Sequence, residues 1–499
     1  MRTGVIGWSA GLTALVIWGL VVVGPSSQAG AAGDDAPTTD GLVKLWDAEH
    51  ISPPLPPLVT HEDVVAHVTK IVAEAPDLFS QEVIGQSNDG RNLHHVWFGK
   101  GPTHILLWSQ MHGDEPTATS ALFDFHHYVR THRNDPIVRR MLDNLTIHVV
   151  PMLNPDGAER YQRRNAQDID INRDAVRLQT PEGRALKALR DRINPVLGFN
   201  LHNQNWSTSV GFPPKPASIS LLAVSFNRER TDNEKRILAK KTSAIIREAI
   251  EPLMPGQIGR YDDEFEVRAF GDNIAKWGTG VVLIETGPAP GDDPDRTLIR
   301  ANFVAIVTAL DALASGRVKK ADAKRYETLP FNESRLLHTV ITGATLVGNP
   351  KLTPYIADIG ISGTRIVRRT TAESGNTSGS PEFNAGAIYG AASSANGKRA
   401  LGLSARIADL GDLQTSGALN TIDAKGLTAA PLWDEKLKQG DEVSLPDWST
   451  WKGATIATGQ PPNIVLLSPV GASTPAGAAG RYRVERVVRL ADPFPADRK

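Results

Sequence analysis

The stretch Ile105-Leu106-Leu107-Trp108-Ser109-Gln110-Met111-His112-Gly113-Asp114-Glu115 decides how this chain is read. Its first five residues have the apolar run of a buried strand. Its last four place a histidine and a glutamate three apart, just past the strand's C-terminal end. In open α/β sheets that edge is where sites form. A bend at Gly113 can turn both side chains toward one point, as an N/O metal ligand pair requires. Taken alone, H-x-x-E is a frequent chance match. Two other strand ends change its meaning. One apolar run from Val196 leads into Leu201-His202-Asn203, and Val281-Val282-Leu283-Ile284 leads into Glu285-Thr286-Gly287. A carboxylate directly after four apolar strand residues needs a partner, because burying a charge is costly. His112, Glu115 and His202 then read as the ligands of an open zinc site, with Glu285 beside it as general base. Three protein ligands and one open position is the arrangement of a catalytic zinc.

The same alternation extends outward from this stretch. Strand patterns at residues 93–98, 105–109, 145–150, 196–202 and 281–285 alternate with helical ones. Residues 61–74 carry Val64, Val65, Val68, Ile71 and Val72 at helical spacing. A helix starts near Pro116, a good first-turn residue. Two more cover 232–250 and 296–314, the last stopped by Gly316. This predicts an α/β catalytic domain over residues 60–316, a mixed, mostly parallel sheet with helices on both faces. Residues 317–333, charged at 319–324, read as a linker. Over 334–499 the texture changes to short β-branched runs (339–341, 356–361, 366–367, 463–467, 482–490), which predicts a separate all-β, sandwich-like domain. Small-residue segments at 374–398 and 471–480 read as surface loops. Residues 30–59, ending in Ser52-Pro53-Pro54-Leu55-Pro56-Pro57, read as an extended Pro-rich lead-in.

Composition sets the limits. The 499 residues hold 54 Lys+Arg against 55 Asp+Glu, so there is no electrostatic reason to expect nucleic acid as a partner. A hydrophobic content of 40% supports a large core and excludes wholesale disorder. The chain has no cysteine, which excludes disulfides, thiol nucleophiles and thiolate metal sites; any metal is held by His, Asp and Glu. Arg2 is followed by an uncharged apolar run over 5–23 and by Ser27-Gln28-Ala29, placed like a cleavage site. Residues 1–29 therefore read as a secretory signal peptide, and the protein as exported, periplasmic or extracellular. The alternative is an uncleaved anchor, since 19 residues can just span a bilayer, and only then is a membrane a partner.

The loop after 145–150 supplies Asn154-Pro155-Asp156-Gly157, Arg163-Arg164-Asn165 and Asp170-Ile171-Asn172-Arg173. Together with His112–Glu115, His202 and Glu285-Thr286-Gly287, in this order, these elements make residues 60–316 resemble the zinc carboxypeptidase family, the funnelin-type metallocarboxypeptidases. The resemblance implies a role for each position. His112, Glu115 and His202 would bind one Zn2+ per chain. Asp170 would hydrogen-bond the outer nitrogen of His112 and fix its tautomer. Glu285 would act as general base on a zinc-activated water and hand the proton to the leaving amine. Arg163 would polarise the scissile carbonyl. Asn172 and Arg173 would clamp the free C-terminal carboxylate of a peptide substrate, from a protein or from the cell wall. The implied function is an exported zinc metallocarboxypeptidase. Two other readings stand beside it: a zinc-dependent N-acyl amino acid deacylase, which shares H-x-x-E, D-x-N-R and a lone His, and a non-catalytic binding module on a peptidase scaffold. The N-P-D-G and E-T-G elements favour the peptidase, and retention of all four zinc-site residues argues against the module.

Several residues stay open at this level. The family often has a mobile tyrosine before its glutamate; Tyr261, 24 residues before Glu285, is the nearest candidate, or is an ordinary loop residue. Asp272 either selects a basic side chain or caps a helix. His94-His95 and His126-His127 have no companion ligand and read as structural. Trp433, Trp448 and Trp451 either bind carbohydrate or pack. The C-terminal domain faintly resembles the β-sandwich beside the barrel of metal-dependent amidohydrolases, through Ala357-Asp358-Ile359-Gly360-Ile361, Asp409-Leu410-Gly411-Asp412 and Thr421-Ile422-Asp423-Ala424-Lys425-Gly426-Leu427; Leu432-Trp433-Asp434-Glu435 stands where that family's H-x-H would follow.

Overall fold

The computed structural model describes residues 36–52, 58–370, 389–394, 397–471, 477 and 480–489, with side chains outside 366–403. The expected signal segment lies outside the described residues. The helices are α1 (Thr39–Glu49), α2 (His61–Glu74), α3 (Thr117–Thr131), α4 (Pro136–Asn144), α5 (Pro155–Arg160), α6 (Pro181–Ile193), α7 (Glu234–Ile250), α8 (Phe270–Lys276), α9 (Pro294–Ala314) and α10 (Lys324–Glu327). The first ten strands are β1 (Phe79–Gln86), β2 (Asn92–Phe98), β3 (Thr103–Ser109), β4 (Leu145–Val150), β5 (Leu197–Asn203), β6 (Ser209–Val210), β7 (Lys215–Pro216), β8 (Ile219–Ala223), β9 (Ile258–Arg260) and β10 (Gly280–Thr286).

Eight of these strands form one sheet in the order β1-β2-β4-β3-β5-β10-β8-β9. Its centre, β4-β3-β5-β10, is parallel, and antiparallel pairs flank it at β1/β2, β2/β4 and β10/β8. All seven residues of β10 are buried, as a central strand covered on both faces requires. Odd positions of β3 (Ile105, Leu107) enter one core with α2, α3, α7 and α9, and even positions (Leu106, Trp108) enter a second core with α6 and α8. That alternation is the period of a strand. Helix α9 is apolar nearly all round because α1, α3, α4 and α7 surround it. At the start of α2, the Thr60 hydroxyl accepts from the Asp63 amide while the Asp63 carboxylate accepts from the Thr60 amide. This reciprocal cap contributes about 1 kcal/mol.

Two expectations are corrected. The lead-in over 30–59 is not extended at Thr39–Glu49. Leu42 and Trp46, four apart, share one helix face and are buried in the core, and the Trp46 Nε1–H donates to Asp124 Oδ2 at 2.7 Å. The amides of Ile51 and Ser52 end on Asp124 Oδ1. The linker over 317–333 is likewise part of the packed structure. Tyr326 of α10 is fully buried, and its hydroxyl accepts from the Ala223 amide at 3.0 Å. Strand β11 (Asn332–Glu333) pairs with β6.

The C-terminal region has its own sheet and core. Its strands are β12 (Leu336–Leu346), β13 (Tyr355–Thr370), β14 (Tyr389–Ser394), β15 (Gly397–Gly411), β16 (Gly417–Asp423), β17 (Thr428–Pro431), β18 (Glu442–Ser444), β19 (Ile464–Pro469) and β20 (Arg481–Val488). The sheet forks at β12, whose first part pairs with β16 and whose end pairs with β17, with the register shifted around Gly343 (φ +66°). Along β19, Ile464 and Leu466 face one apolar cluster and Val465 and Leu467 face another. Of the two expected loops, 374–388, 395–396, 472–476 and 478–479 lie outside the described residues, and 389–394 is a strand. Trp433, Trp448 and Trp451 pack edge to face on one another at 6.0 and 5.5 Å.

One histidine of each pair is held by another buried histidine. His126 Nδ1 lies 3.1 Å from His67 Nε2, and His95 Nε2 lies 3.0 Å from His148 Nδ1. Burial pushes His126 down from 6.5 to about 3. Its native pKa is depressed, so its contribution is complete above pH 6.5 and is lost as pH falls from 6.5 toward 3. Between pH 7.5 and 5 this one group costs about 2 kcal/mol of stability. The stability gap between wild type and His126→Leu, measured by urea unfolding, is therefore expected to narrow by about that amount on going to pH 5. Parallel losses in both proteins would refute the assignment.

Candidate active site

The four parallel strands deliver the site to one edge of the sheet. Ser109 at the end of β3 is level with Leu201, and Glu285 on β10 is level with His202 on β5. After β3, Gln110 turns the chain at φ +47°, and His112 to Glu115 make a tight turn into α3. Gly113 sits against the backbone of the next motif: a Cβ there would lie 2.0 Å from the Gly157 carbonyl carbon. The N-P-D-G turn is pinned in its own right. Asn154 caps α5 by accepting from the Gly157 amide at 2.9 Å. Asp156 is fully buried and accepts from Ser87 Oγ, the Asp89 amide and Arg91 Nη1.

The turn and the two strand ends bring His112, Glu115 and His202 together, with their ligand atoms within 4.8 Å of one another. His112 Nδ1 is 2.7 Å from Glu115 Oε1, His202 Nδ1 is 2.7 Å from Glu115 Oε2, and the two Nδ1 atoms are 3.1 Å apart. On the far side, the His112 Nε2–H points to Asp170 Oδ1 at 3.2 Å, which leaves the Nδ1 lone pair facing inward. All three residues are buried. Two imidazole lone pairs and a carboxylate converging on one point are a zinc donor set, so the residues present fit the ion. Among the described residues this is the one such cluster.

Arg163 lies across this centre. Its Nε donates to Asp170 Oδ2 at 3.0 Å, and Nη1 lies 3.1 Å from His112 Nδ1 and 3.5 Å from Glu115 Oε1. Burial works against the Asp170 charge, but the His112 hydrogen bond and Arg163 hold the carboxyl well below the usual carboxylate range. Asp170 also accepts from the Asn172 amide, Asn172 Oδ1 accepts from the Phe270 amide, and Arg173 reaches Glu266 at 3.6 Å.

Glu285, buried and with Oε2 unpartnered, faces the same cleft. Burial first, and the neighbouring Glu115 charge second, push its carboxyl up. Tyr261 lines the cleft too; the Glu285 charge and burial raise its phenol to about 12, so it is a neutral hydroxyl. The cleft holds about 540 Å³. Asn172, Arg173, Asp272, Gln204, Asn205 and Asn332 are among the polar residues that line it. Asp272 accepts from the Glu266 amide at 3.0 Å and is pushed up to about 7 by burial.

Every residue singled out as a ligand, acid–base group or clamp thus lines this cleft or touches a residue that does. Sequence reasoning missed three participants. The Asn203 amide donates to Glu115 Oε2 at 3.1 Å, and Gln204 Oε1 accepts from Asn332 Nδ2 at 2.9 Å. Adjacency to His202 was the signal for the first two. Asn332 had none, since it arrives from 130 residues downstream of His202.

The zinc carboxypeptidase family model matches residues 64–174. Carboxypeptidase SOL1 of Arabidopsis thaliana is 32% identical over 158 residues, 28% of this chain and 32% of that protein. Carboxypeptidase M of Mus musculus is 32% identical over 143 residues, 24% of this chain and 32% of that protein. The match therefore spans about a third of these relatives' length. A carboxypeptidase A structure from Helicoverpa armigera aligns with TM-score 0.42 and 15% identity, over 56% of this chain and 80% of that one. The family match ends at Asp174, before His202 and Glu285.

Proposed function

We propose that this protein, whose residues 64–174 match the zinc carboxypeptidase family model, is an exported metallocarboxypeptidase that hydrolyses the last peptide bond of its substrates. One observation carries the reading: His112, Glu115 and His202 converge in a single cleft with Glu285, Arg163 and Arg173. The three ligands would hold one zinc ion, whose chemistry there is Lewis-acid polarisation and a lowered water pKa. Arg173, with Asn172 beside it, binds the substrate's terminal carboxylate through charge-assisted hydrogen bonds. Arg163 donates to the scissile carbonyl as negative charge develops on its oxygen. Glu285 takes the proton of the attacking water and returns it to the leaving amine. Asp170 holds His112 in one tautomer and Arg163 in one pose.

The test is residue release from a mixed peptide library, with and without a zinc chelator. The expected result is loss of single C-terminal residues, stopped by the chelator and restored by zinc. Arg173→Ala is expected to weaken kcat/KM about 10- to 100-fold on free peptides, the worth of a charged hydrogen bond, with no such loss on amidated ones. Internal cleavage, or release only from N-acyl amino acids, would overturn the reading. Cell-wall peptides in the same panel decide the source of substrate.

A further inference from the structure

One buried side chain of the β region reaches two segments that build the cleft. Arg365, on β13, is largely buried, with Nη2 2.6 Å from Asp295 Oδ1 in the first turn of α9. Its guanidinium stacks 4.5 Å from the centre of the Trp206 ring and interacts with the Tyr161 side chain. Asp295 is itself buried. Each aromatic partner belongs to a segment that builds the cleft. Tyr161 ends α5 in the left-handed region (φ +49°), two residues before Arg163. The carbonyl of the residue between them, Gln162, accepts from the Gly113 amide at 3.0 Å, inside the His112–Glu115 turn. Trp206 lies four residues after His202, and its neighbour Ser207 accepts through its carbonyl from the Leu336 amide of β12.

A left-handed non-glycine residue stays in place only when its surroundings over-determine it. At Tyr161 the surroundings include a guanidinium from another sheet. We infer that the β region is a working part of the active site and that Arg365 is a positioning residue: it fixes Tyr161, and so the pose of Arg163, and through Trp206 it fixes the segment leading away from His202. Neither Arg365 nor Tyr161 lines the cleft. The inference rests on the carboxypeptidase reading for its kinetic consequence but not for its structural one.

Two variants test it in the full-length protein. Arg365→Lys keeps the charge beside Asp295 but loses the planar fork that reaches Tyr161 and stacks on Trp206. Tyr161→Phe removes only the hydroxyl. Both are expected to unfold within a few degrees of wild type and to bind zinc normally, while kcat falls about 10- to 100-fold, the scale of a 1 Å misplacement. A purely structural ion pair would behave otherwise, with Arg365→Lys restoring stability and rate together. Hydrogen exchange supplies a readout independent of activity: the Gly113 amide and residues 203–210 are expected to exchange faster in Arg365→Lys. Wild-type kcat together with wild-type exchange in both variants would overturn the inference. If the wild type releases no C-terminal residue but exchange still rises, the carboxypeptidase reading fails and the positioning role stands.

Discussion

Glu285→Gln is expected to leave the protein folded and zinc-loaded and to lower turnover by about 10²–10⁴-fold, the usual worth of a general acid–base group. The substitution keeps the shape of a side chain that is buried at the end of β10. It removes a charge that burial and the Glu115 carboxylate both oppose, so the fold has nothing to lose. It also leaves His112, Glu115 and His202 untouched, and these are the cluster of ligand atoms. The loss is therefore expected in kcat, with zinc content by atomic absorption unchanged and KM within a few-fold. Retained turnover would remove Glu285 from its role. Lost zinc would mean that Glu285 supports the ligand set instead.

The site was legible in the sequence because its parts sit at strand ends. Apolar runs that stop at His202 and Glu285 mark the edge of a parallel sheet, and the two residues are level with each other in the register. Asp170, Asn172 and Arg173 follow β4, which lies beside β3 in the same sheet, so their loop opens onto the same edge. What sequence periodicity could not reach was whatever depends on distant chain. Strand β1 alternates imperfectly, with exposed residues at Ser80, Gln81 and Val83, so it carries no strand signal of its own and forms by pairing with β2. Strands β8 and β9 are short; β8 pairs with β10 and β9 with β8, both across long connections. Helix α1 holds only two buried apolar residues, too few to announce a helix within a Pro- and Ala-rich lead-in. The Arg365 contacts lie 204 residues from Tyr161, and nothing local marks them.

Gly113→Ala is expected to damage the metal centre as severely as loss of a ligand. The sequence suggested Gly113 as a flexible bend, yet it is absent from the left-handed glycines of this chain. Its requirement is space. An added Cβ would meet the Gly157 carbonyl carbon at 2.0 Å and the Ala158 nitrogen at 2.2 Å, both backbone atoms. The opposing turn has no room to retreat: Gly157 is held by the Asn154 cap, and Asp156 is tied to Ser87, Asp89 and Arg91 of the β1–β2 connection. The His112–Glu115 turn must move instead, and the Gly113 amide loses the Gln162 carbonyl. Both metal ligands of the turn move with it. Zinc coordination tolerates displacements of about 0.2 Å. Zinc affinity is therefore expected to fall by about 10²-fold or more, at the upper end of what mispositioned ligands cost, with overpacking adding about 1–3 kcal/mol of destabilisation. Competition against a chromophoric chelator reads the affinity, and thermal unfolding of the metal-free protein reads the packing term alone. A Gly113→Ala protein with wild-type zinc affinity and wild-type Tm would mean that the two turns do not meet backbone to backbone in solution.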